Sequence, residues 1–318
     1  MPEALELSHI TKRYDGHVAL EDLSLTVPSG TVYGLLGPNG AGKTTTIRMV
    51  LNIIEPDSGT IRLFGEPTSA RGVIDRVGYL PEERGLYKKM QVRRVLRFLA
   101  ELKGMSAREA DRQIDAWLDR FNLRTAERDW GNAKVDELSR GMQQKVQFIG
   151  TLLHDPELVI LDEPFGGLDP INADALKETI LELRQRGRTV IFSTHLMDSA
   201  QQLCDAVCII ARGRKVLDGD VAAVRATHGG RGLALGFGVV PSAAVLDVLR
   251  DRTLVARIDH SNRAAEVELA RAADPQVLLR RLLDAGARIE RYELRHPSLH
   301  QIFLDTVESR WTDPGLTE

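Results

Sequence analysis

The sequence has little of several features that mark particular classes of protein. Its two cysteines, Cys204 and Cys208, have no matching histidines, so we expect buried small side chains rather than a zinc site or a disulfide. Aromatic residues make up 5% of the chain and the formal net charge is −3, which disfavours a base-stacking surface and a basic field. We therefore expect no nucleic-acid partner.

Long apolar runs are also missing. No stretch of about 18 consecutive apolar residues occurs, so no bilayer-spanning helix is predicted. The first residues lack the basic-then-apolar pattern of a signal peptide, and we expect a cytoplasmic protein whose membrane association comes only through a partner. The 318 residues allow one large domain, or one domain with a smaller companion.

The most informative segment is residues 37–44, which read Gly-Pro-Asn-Gly-Ala-Gly-Lys-Thr and match the P-loop pattern. The preceding apolar run predicts a strand, and residues 45–51 predict the start of a helix. In that context the glycines turn backbone N–H groups toward phosphate oxygens. Lys43 supplies a positive charge for the β- and γ-phosphates, and the Thr44 hydroxyl is placed to ligate Mg²⁺. We predict a nucleotide site rather than a chance glycine turn.

Acidic residues follow a second predicted buried strand, residues 158–161. Asp162 is placed to hold Mg²⁺ through water, and Glu163 is placed to polarise a water for attack on the γ-phosphate. A buried strand seldom ends in unpaired carboxylates without a cation, so a purely structural role is the weaker interpretation. His195 ends the next predicted strand, where open α/β sheets place ligand contacts.

A further motif, Leu138-Ser-Arg-Gly-Met, precedes a predicted helix. The Ser139 hydroxyl, the Gly141 N–H and the helix N-terminus together form an anion site, although a serine here is also an ordinary N-cap. The segment Gly166-Gly-Leu-Asp-Pro then follows the acidic pair. The order of these motifs along the chain carries more weight than any one of them.

In this order and spacing, the motifs resemble the ATP-binding cassette subunit of ABC transporters over about residues 1–220. The resemblance implies an α/β P-loop cassette with a mixed sheet core and a helical subdomain, which binds ATP and Mg²⁺ and couples ATP hydrolysis to transport. It also implies a homodimer, or a pair of cassettes, with each ATP held between the P-loop of one subunit and the Ser139 turn of the other. An integral membrane permease would be the further partner, and it would hold the subunit on the cytoplasmic face of the membrane.

The same resemblance assigns roles to single residues. Tyr14 would stack on adenine, Ser139 and Gly141 would reach the γ-phosphate across the dimer seam, and Asp169 would contact the opposite subunit. His195 would sense the γ-phosphate. The residues expected to bind ATP are Tyr14, Gly37, Pro38, Asn39, Gly40, Ala41, Gly42, Lys43, Thr44, Thr45, Ser139, Gly141 and Asp169. The expected catalytic residues are Lys43, Glu163 and His195, and the expected metal ligands are Thr44, Glu82 and Asp162.

The chain departs from the usual family pattern at two motifs. Arg140 and Met142 replace the first Gly and the Gln of Leu-Ser-Gly-Gly-Gln, and Glu82 replaces a glutamine, which adds a negative charge beside the triphosphate. Together with residues 78–87 and 297–304, the Leu-Ser-Arg-Gly-Met segment resembles a narrower group, the ATPases of ABC-2-type exporters, similar to the sodium-extrusion type. That group implies a small C-terminal accessory domain.

The periodicity predicts, among other elements, a strand at Val77–Leu80 and helices at Ala173–Arg186 and Ala243–Arg250. It also agrees with a division into domains. Residues 1–226 form the predicted cassette, with a helical subdomain at about 91–154. After a break at Gly229-Gly-Arg-Gly, residues 227–310 read βαββαβ plus a helix, which predicts an α+β ferredoxin-like domain, and residues 311–318 form a frayed tail.

Three functions are compatible with these motifs. The first is a transport motor that powers a separate permease, and the second is a soluble cassette ATPase acting on a non-transport partner such as DNA or the ribosome. Against the second, 94 positions separate Thr44 from Leu138, too few for the long coiled coil of DNA-repair relatives, and the chain carries one cassette where ribosome-acting relatives usually carry two. The third is a binding-only module. The four intact residues that argue against it are Lys43, Asp162, Glu163 and His195.

Overall fold

The computed structural model describes residues 3–83, 85–228, 232–270, 273–295 and 297–311. The chain divides into two compact units between Asp220 and Val221. The predicted boundary after residue 226 falls instead inside the helix Val221–His228, because the glycine-rich segment follows that helix and does not mark the division. Residues 229–231 of the predicted break and 312–318 of the predicted tail lie outside the described residues.

The first unit alternates strands and helices, as predicted. Its strands are β1 (Glu3–Tyr14), β2 (His17–Pro28), β3 (Val32–Leu36), β4 (Ser58–Leu63), β5 (Glu66–Pro67), β6 (Val77–Leu80), β7 (Leu158–Asp162), β8 (Thr189–Thr194), β9 (Ala206–Ala211) and β10 (Arg214–Asp220). Its α-helices are α1 (Lys43–Val50), α2 (Val92–Leu102), α3 (Ala107–Arg120), α4 (Arg140–Leu152), α5 (Pro170–Gln185) and α6 (Met197–Leu203). Short 3-10 helices cover Ile74–Arg76, Trp130–Asn132 and Val135–Glu137.

The central sheet has the strand order β10-β9-β3-β8-β7-β6 and is parallel except for β10, which pairs antiparallel with β9. Every residue of β3, β7 and β8 is buried, as expected for parallel strands that are covered on both faces. Because these neighbouring strands run in one direction, their carboxyl ends meet at one edge. That edge carries the glycine-rich loop, the acidic pair and His195.

A second, antiparallel sheet has the order β2-β1-β4-β5. Apolar side chains from this sheet, α1 and one face of the central sheet form a continuous core that includes Leu7, Ile47 and Ile160. Inside it, Tyr33 donates a hydrogen bond of 2.7 Å to Asp218 Oδ1, and burial raises the pKa of its hydroxyl. Both cysteines are free; Cys208 is buried, and Cys204 is partly buried.

The predicted helical subdomain consists of α2, α3 and α4 with the 3-10 turns between them. Stacked and edge-on aromatic contacts join Trp117, Phe121 and Phe148 within it. Arg93 forms ion pairs with two aspartates, Asp115 and Asp129, and so ties α2 to α3 and to the turn that follows α3. Among the described residues, every helix is too short or too polar to span a bilayer.

The second unit contains strands β11 (Gly232–Phe237), β12 (Val255–Ser261), β13 (Ala264–Leu269) and β14 (Ile289–Arg295), and helices α7 (Val221–His228), α8 (Ala243–Arg250), α9 (Pro275–Asp284) and α10 (Leu299–Trp311). The strand order is β12-β13-β11-β14, with each neighbouring pair antiparallel. Two βαβ crossovers thus interleave, which is the split arrangement that the pattern predicts. Helix α10 ends at Trp311, the residue at which the predicted tail begins.

Candidate functional site

The glycine-rich loop joins β3 to α1 in a conformation that two of its glycines require. Gly37 has a φ of 152°, and a Cβ there would lie 2.1 Å from the carbonyl oxygen of Ile210. Gly42 has a φ of 107°, and a Cβ there would lie 2.7 Å from the carbonyl oxygen of Ala19. A side chain at either position would meet backbone, which cannot move aside cheaply.

Lys43 lies over this loop and is almost completely buried, with 6% of its surface exposed. Its Nζ donates hydrogen bonds to the carbonyl oxygens of Gly37 at 2.8 Å and Pro38 at 3.2 Å. A mobile ammonium group in a curled loop of N–H donors is the chemistry that suits a polyphosphate.

The buried carboxylate Asp162 ends β7 with 1% of its surface exposed. The Ser193 hydroxyl donates to its Oδ1, whereas its Oδ2 is buried without a hydrogen-bond partner among the described residues. An unpartnered buried carboxylate oxygen is costly unless a cation or an ordered water meets it. This oxygen therefore fits a divalent cation held directly or through water.

Glu163 follows in a left-handed backbone conformation, with a φ of 47°. Its Oε1 lies 3.4 Å from Lys43 Nζ, and the Thr194 hydroxyl donates to its Oε2 at 3.2 Å. The Nδ1 of His195 lies 3.1 Å from both carboxylate oxygens. The two adjacent carboxylates thus face different partners, and Glu163 joins a cation, a hydroxyl and an imidazole.

A cavity of about 460 Å³ gathers most of the predicted nucleotide-binding residues. It is lined by Tyr14, His17, Ala19, Asn39, Gly40, Ala41, Gly42, Lys43, Thr44, Thr45, Glu82 and Glu163. Tyr14 is half exposed, at the β1–β2 turn. Sequence reasoning missed His17 and Ala19, because only the pairing of β1 with β2 brings them to the loop.

An adjoining cavity of about 320 Å³ lies on the other side of Glu163. Its lining residues are Asn39, Leu80, Glu82, Gln144, Gln147, Glu163, Gly166, Gly167 and His195. Sequence reasoning missed the two glutamines. The sequence pattern that could have revealed them is two polar residues, three positions apart, on the face of a helix that is predicted to be buried.

Six predicted residues line neither cavity in the part of the chain that the structure describes: Gly37, Pro38, Ser139, Gly141, Asp162 and Asp169. Ser139 caps α4 by accepting a hydrogen bond from the N–H of Met142 at 3.3 Å. Asp169 caps α5 by accepting from the N–H of Asn172 at 3.0 Å, and this bond lowers the pKa of its carboxyl group. A Cβ on Gly141 would lie 3.2 Å from Asn172 Nδ2, so the two helix starts are neighbours.

A glycine-rich loop with a buried lysine, beside strand-end carboxylates on a largely parallel sheet, defines a P-loop nucleotide-hydrolysing domain. Two family models match the chain. The ABC transporter family matches residues 20–166, and the family of the C-terminal domain of DrrA1-3-like ATP-binding proteins matches residues 219–307. The chain belongs to the ATP-binding subunits of ABC transporters.

The chain is similar to the ABC transporter ATP-binding protein YhaQ of Bacillus subtilis, with 40% identity over 95% of this chain and 98% of that one. It is 36% identical to the Nod factor export ATP-binding protein I of Burkholderia lata, over 96% of this chain and 97% of the relative. A solved structure, cbiO1 of Clostridium perfringens, part of the ABC transporter complex cbiONQ, aligns with a TM-score of 0.62 and 26% identity over 71% of this chain and 92% of that chain.

These comparisons confirm the predicted family, its cassette fold, ATP hydrolysis and the kinship with ABC-2-type exporter ATPases. They also confirm that a second, family-typical domain follows the cassette.

Proposed function

We propose that this chain is the ATP-hydrolysing subunit of an exporter whose membrane-spanning permease is a separate chain. The observation that carries the proposal is the contact of Glu163 with Lys43 and His195, beside the unpartnered oxygen of buried Asp162. Kinship with a Nod factor export subunit favours export, and kinship with a member of the cbiONQ complex favours a multi-chain assembly.

ATP would occupy the cavity of about 460 Å³, with Tyr14 stacked on adenine and residues 39–45 around the phosphates. Lys43 would exchange its hydrogen bonds to the loop carbonyls for bonds to phosphate oxygens. Thr44, Glu82 and Asp162 would hold Mg²⁺, which when bound neutralises phosphate charge.

Glu163 would serve as the general base. The Thr194 hydroxyl and the His195 imidazole fix the orientation of its carboxylate. When the triphosphate binds, the Lys43 ammonium would move from this carboxylate to the phosphate oxygens. The freed carboxylate then accepts a proton from the attacking water. His195 is half exposed and would contact the γ-phosphate.

The Ser139 and Asp169 turns point to a second copy of the chain. Both are exposed, and neither reaches the cavities of its own subunit within the described residues. Two large apolar side chains near the same motifs are exposed as well: Ile171 at 82% and Leu196 at 42%. In a head-to-tail homodimer, or a pair of cassettes, these groups would be covered and Ser139 would complete the neighbour's ATP site.

An apolar cluster on the helical subdomain suits the permease. The rings of Tyr87 and Phe98 meet edge to face at 5.9 Å, and Leu102, one helical turn beyond Phe98 on α2, is 65% exposed. Tyr87 lies five positions after Glu82, which lines the ATP cavity, so a permease seated there would contact the chain close in sequence to that cavity. This contact would hold the subunit peripherally on the cytoplasmic face of the membrane.

Affinity purification from detergent-solubilised membranes of the native host tests the proposal. The tagged chain should retain an integral membrane protein, and Phe98→Glu should lose that protein while keeping ATPase activity. Retention of a soluble partner alone, with the membrane protein absent, would favour the alternative of a cassette ATPase with a non-transport role.

A further inference from the structure

The buried face of α4 carries polar side chains, whereas the buried face of an amphipathic helix is usually apolar. Gln144, Gln147 and Thr151 have relative exposures of 8%, 8% and 6%. Their spacing of three and then four residues places them in one row along the helix. A row of buried side-chain donors implies a row of acceptors that faces them.

The acceptors are backbone carbonyls of the two loops that shape the site. Gln144 Nε2 donates to the carbonyl oxygen of Pro164 at 2.6 Å, and Gln147 Nε2 donates to that of Glu83 at 3.0 Å. Pro164 directly follows Glu163, and Glu83 directly follows Glu82. Through these two bonds, one helix holds both segments that bring carboxylates to the cavities.

The far end of the same helix is fixed to the sheet. The Thr151 hydroxyl lies 3.2 Å from the carbonyl oxygen of Tyr79 in β6 and 3.0 Å from that of Gln147 in α4, and its single hydrogen can be donated to either. A Cβ on Gly78 would lie 2.4 Å from the carbonyl oxygen of Thr151, so strand and helix are in direct backbone contact. The opposite end begins at the exposed cap Ser139. A shift of either loop therefore acts on α4 between its anchored end and its exposed end.

We propose that Gln144 and Gln147 are positioning residues that couple the Glu163 and Glu82 loops to the Ser139 end of α4. When ATP binds or is cleaved, either loop moves. A side-chain hydrogen bond passes this movement to α4, the helix that presents Ser139 to the second subunit. The inference rests on the proposed roles of Glu163 and Ser139, and it adds two residues that are not among the proposed ligands of the nucleotide or the metal.

Gln143 on the same helix is a matched control. Its Nε2 donates to the carbonyl oxygens of Val135 at 3.1 Å and Leu138 at 3.0 Å, both in the segment just before α4. Replacing Gln143 with methionine removes two hydrogen bonds of the same type and leaves both cavity loops attached.

The experiment compares Gln143→Met, Gln144→Met and Gln147→Met in the full chain. Steady-state phosphate release gives kcat and KM for MgATP, and a fluorescent ATP analogue gives Kd for the nucleotide. We expect kcat to fall about tenfold in Gln144→Met and in Gln147→Met, with Kd within about twofold of the parent chain. The double variant should lose less than the product of the two single losses, because both bonds serve one coupling. Gln143→Met should keep both constants.

Unchanged kcat in Gln144→Met and Gln147→Met, or an equal loss in Gln143→Met, would overturn the coupling while leaving the ATPase assignment intact. An inactive parent chain would instead overturn the proposed function. Backbone hydrogen exchange of the parent chain provides a test that needs no variant. MgATP should slow exchange at the Glu83, Pro164 and Ser139 segments together, and protection of the first two without Ser139 would contradict the proposal.

Discussion

Replacing Glu163 with glutamine tests the candidate site most directly, because the change keeps the shape of the side chain and removes its charge and basicity. The carboxylate is 11% exposed and lies 3.4 Å from Lys43 Nζ. Thr194 and His195 each contact it at distances of 3.1 to 3.2 Å. A glutamine accepts the same hydroxyl hydrogen bond through its carbonyl oxygen, so the fold of the site should be retained.

The expected magnitude follows from the role of a general base. Positioned proton acceptors contribute about 10² to 10⁴ in rate, so kcat should fall about 10³-fold, equivalent to about 4 kcal/mol of transition-state stabilisation. ATP binding should not weaken, since the neutral amide no longer competes with phosphate for the Lys43 ammonium. The variant should therefore accumulate as an ATP-loaded dimer in the presence of magnesium.

Single-turnover phosphate release measures the loss in rate, and equilibrium titration with size-exclusion chromatography measures ATP binding and dimerisation. Glu83→Gln is the control, because Glu83 is an exposed nearby carboxylate that lines neither of the two described cavities. If Glu163→Gln kept more than a tenth of the parent rate, or if Glu83→Gln lost as much, Glu163 would not be the base. Weaker ATP binding in Glu163→Gln would show that the carboxylate holds the nucleotide complex instead.

Three more outcomes are expected. Lys43→Ala should abolish hydrolysis and weaken ATP binding, measured by titration, because it removes the cation of the phosphate loop; undiminished turnover would refute this role. Gly42→Ala should lower the free energy of unfolding by about 2 kcal/mol in denaturant melts, because the new Cβ would lie 2.7 Å from the Ala19 carbonyl oxygen. Gly40→Ala, with open space around the new Cβ, should lower it less. Burial lowers the pKa of His154, so the unfolded chain binds more protons below the ordinary histidine value, and the free energy of unfolding should decrease as the pH falls below about 6.5. His154→Gln should flatten this dependence in melts at several pH values; an unchanged slope would assign it to other groups.

Much of the fold could be predicted because the deciding signals are local. The strand Val77–Leu80 and the helix Ala243–Arg250 have the predicted bounds, since each is a short apolar or amphipathic pattern between clear turn residues. Helix α5 begins at Pro170, three residues before the predicted start at Ala173, because Asp169 caps it and proline is favoured at the first helical position. The prediction rested on the helical spacing of the apolar residues and did not take the N-cap residue Asp169 into account.

In the candidate site too, the residues that follow local sequence patterns could be predicted, and those that depend on tertiary packing could not. Asp162 ends one buried strand, and Lys43 and His195 come after two others. Parallel pairing brings the carboxyl ends of these strands together, so a motif and a strand pattern suffice to predict that the three residues are neighbours. Gln144 and Gln147 could not be predicted in the same way, because their partners are backbone carbonyls 20 and 64 positions away. Such contacts depend on how α4 packs against the sheet, which no local pattern encodes.

The balance of charge in the larger cavity favours our proposal that a nucleotide binds there together with a cation. Its lining carries one ammonium group, that of Lys43, and the carboxylates of Glu82 and Glu163, with buried Asp162 close behind. A triphosphate adds further negative charge at short range, where the interior screens poorly. The Lys43 ammonium cannot offset both sets of anions, and it already contacts Glu163 and the carbonyl oxygens of Gly37 and Pro38. By our proposal Thr44, Glu82 and Asp162 would hold Mg²⁺, which would supply the positive charge that Lys43 alone does not, and the Lys43 ammonium would then be available to the phosphates.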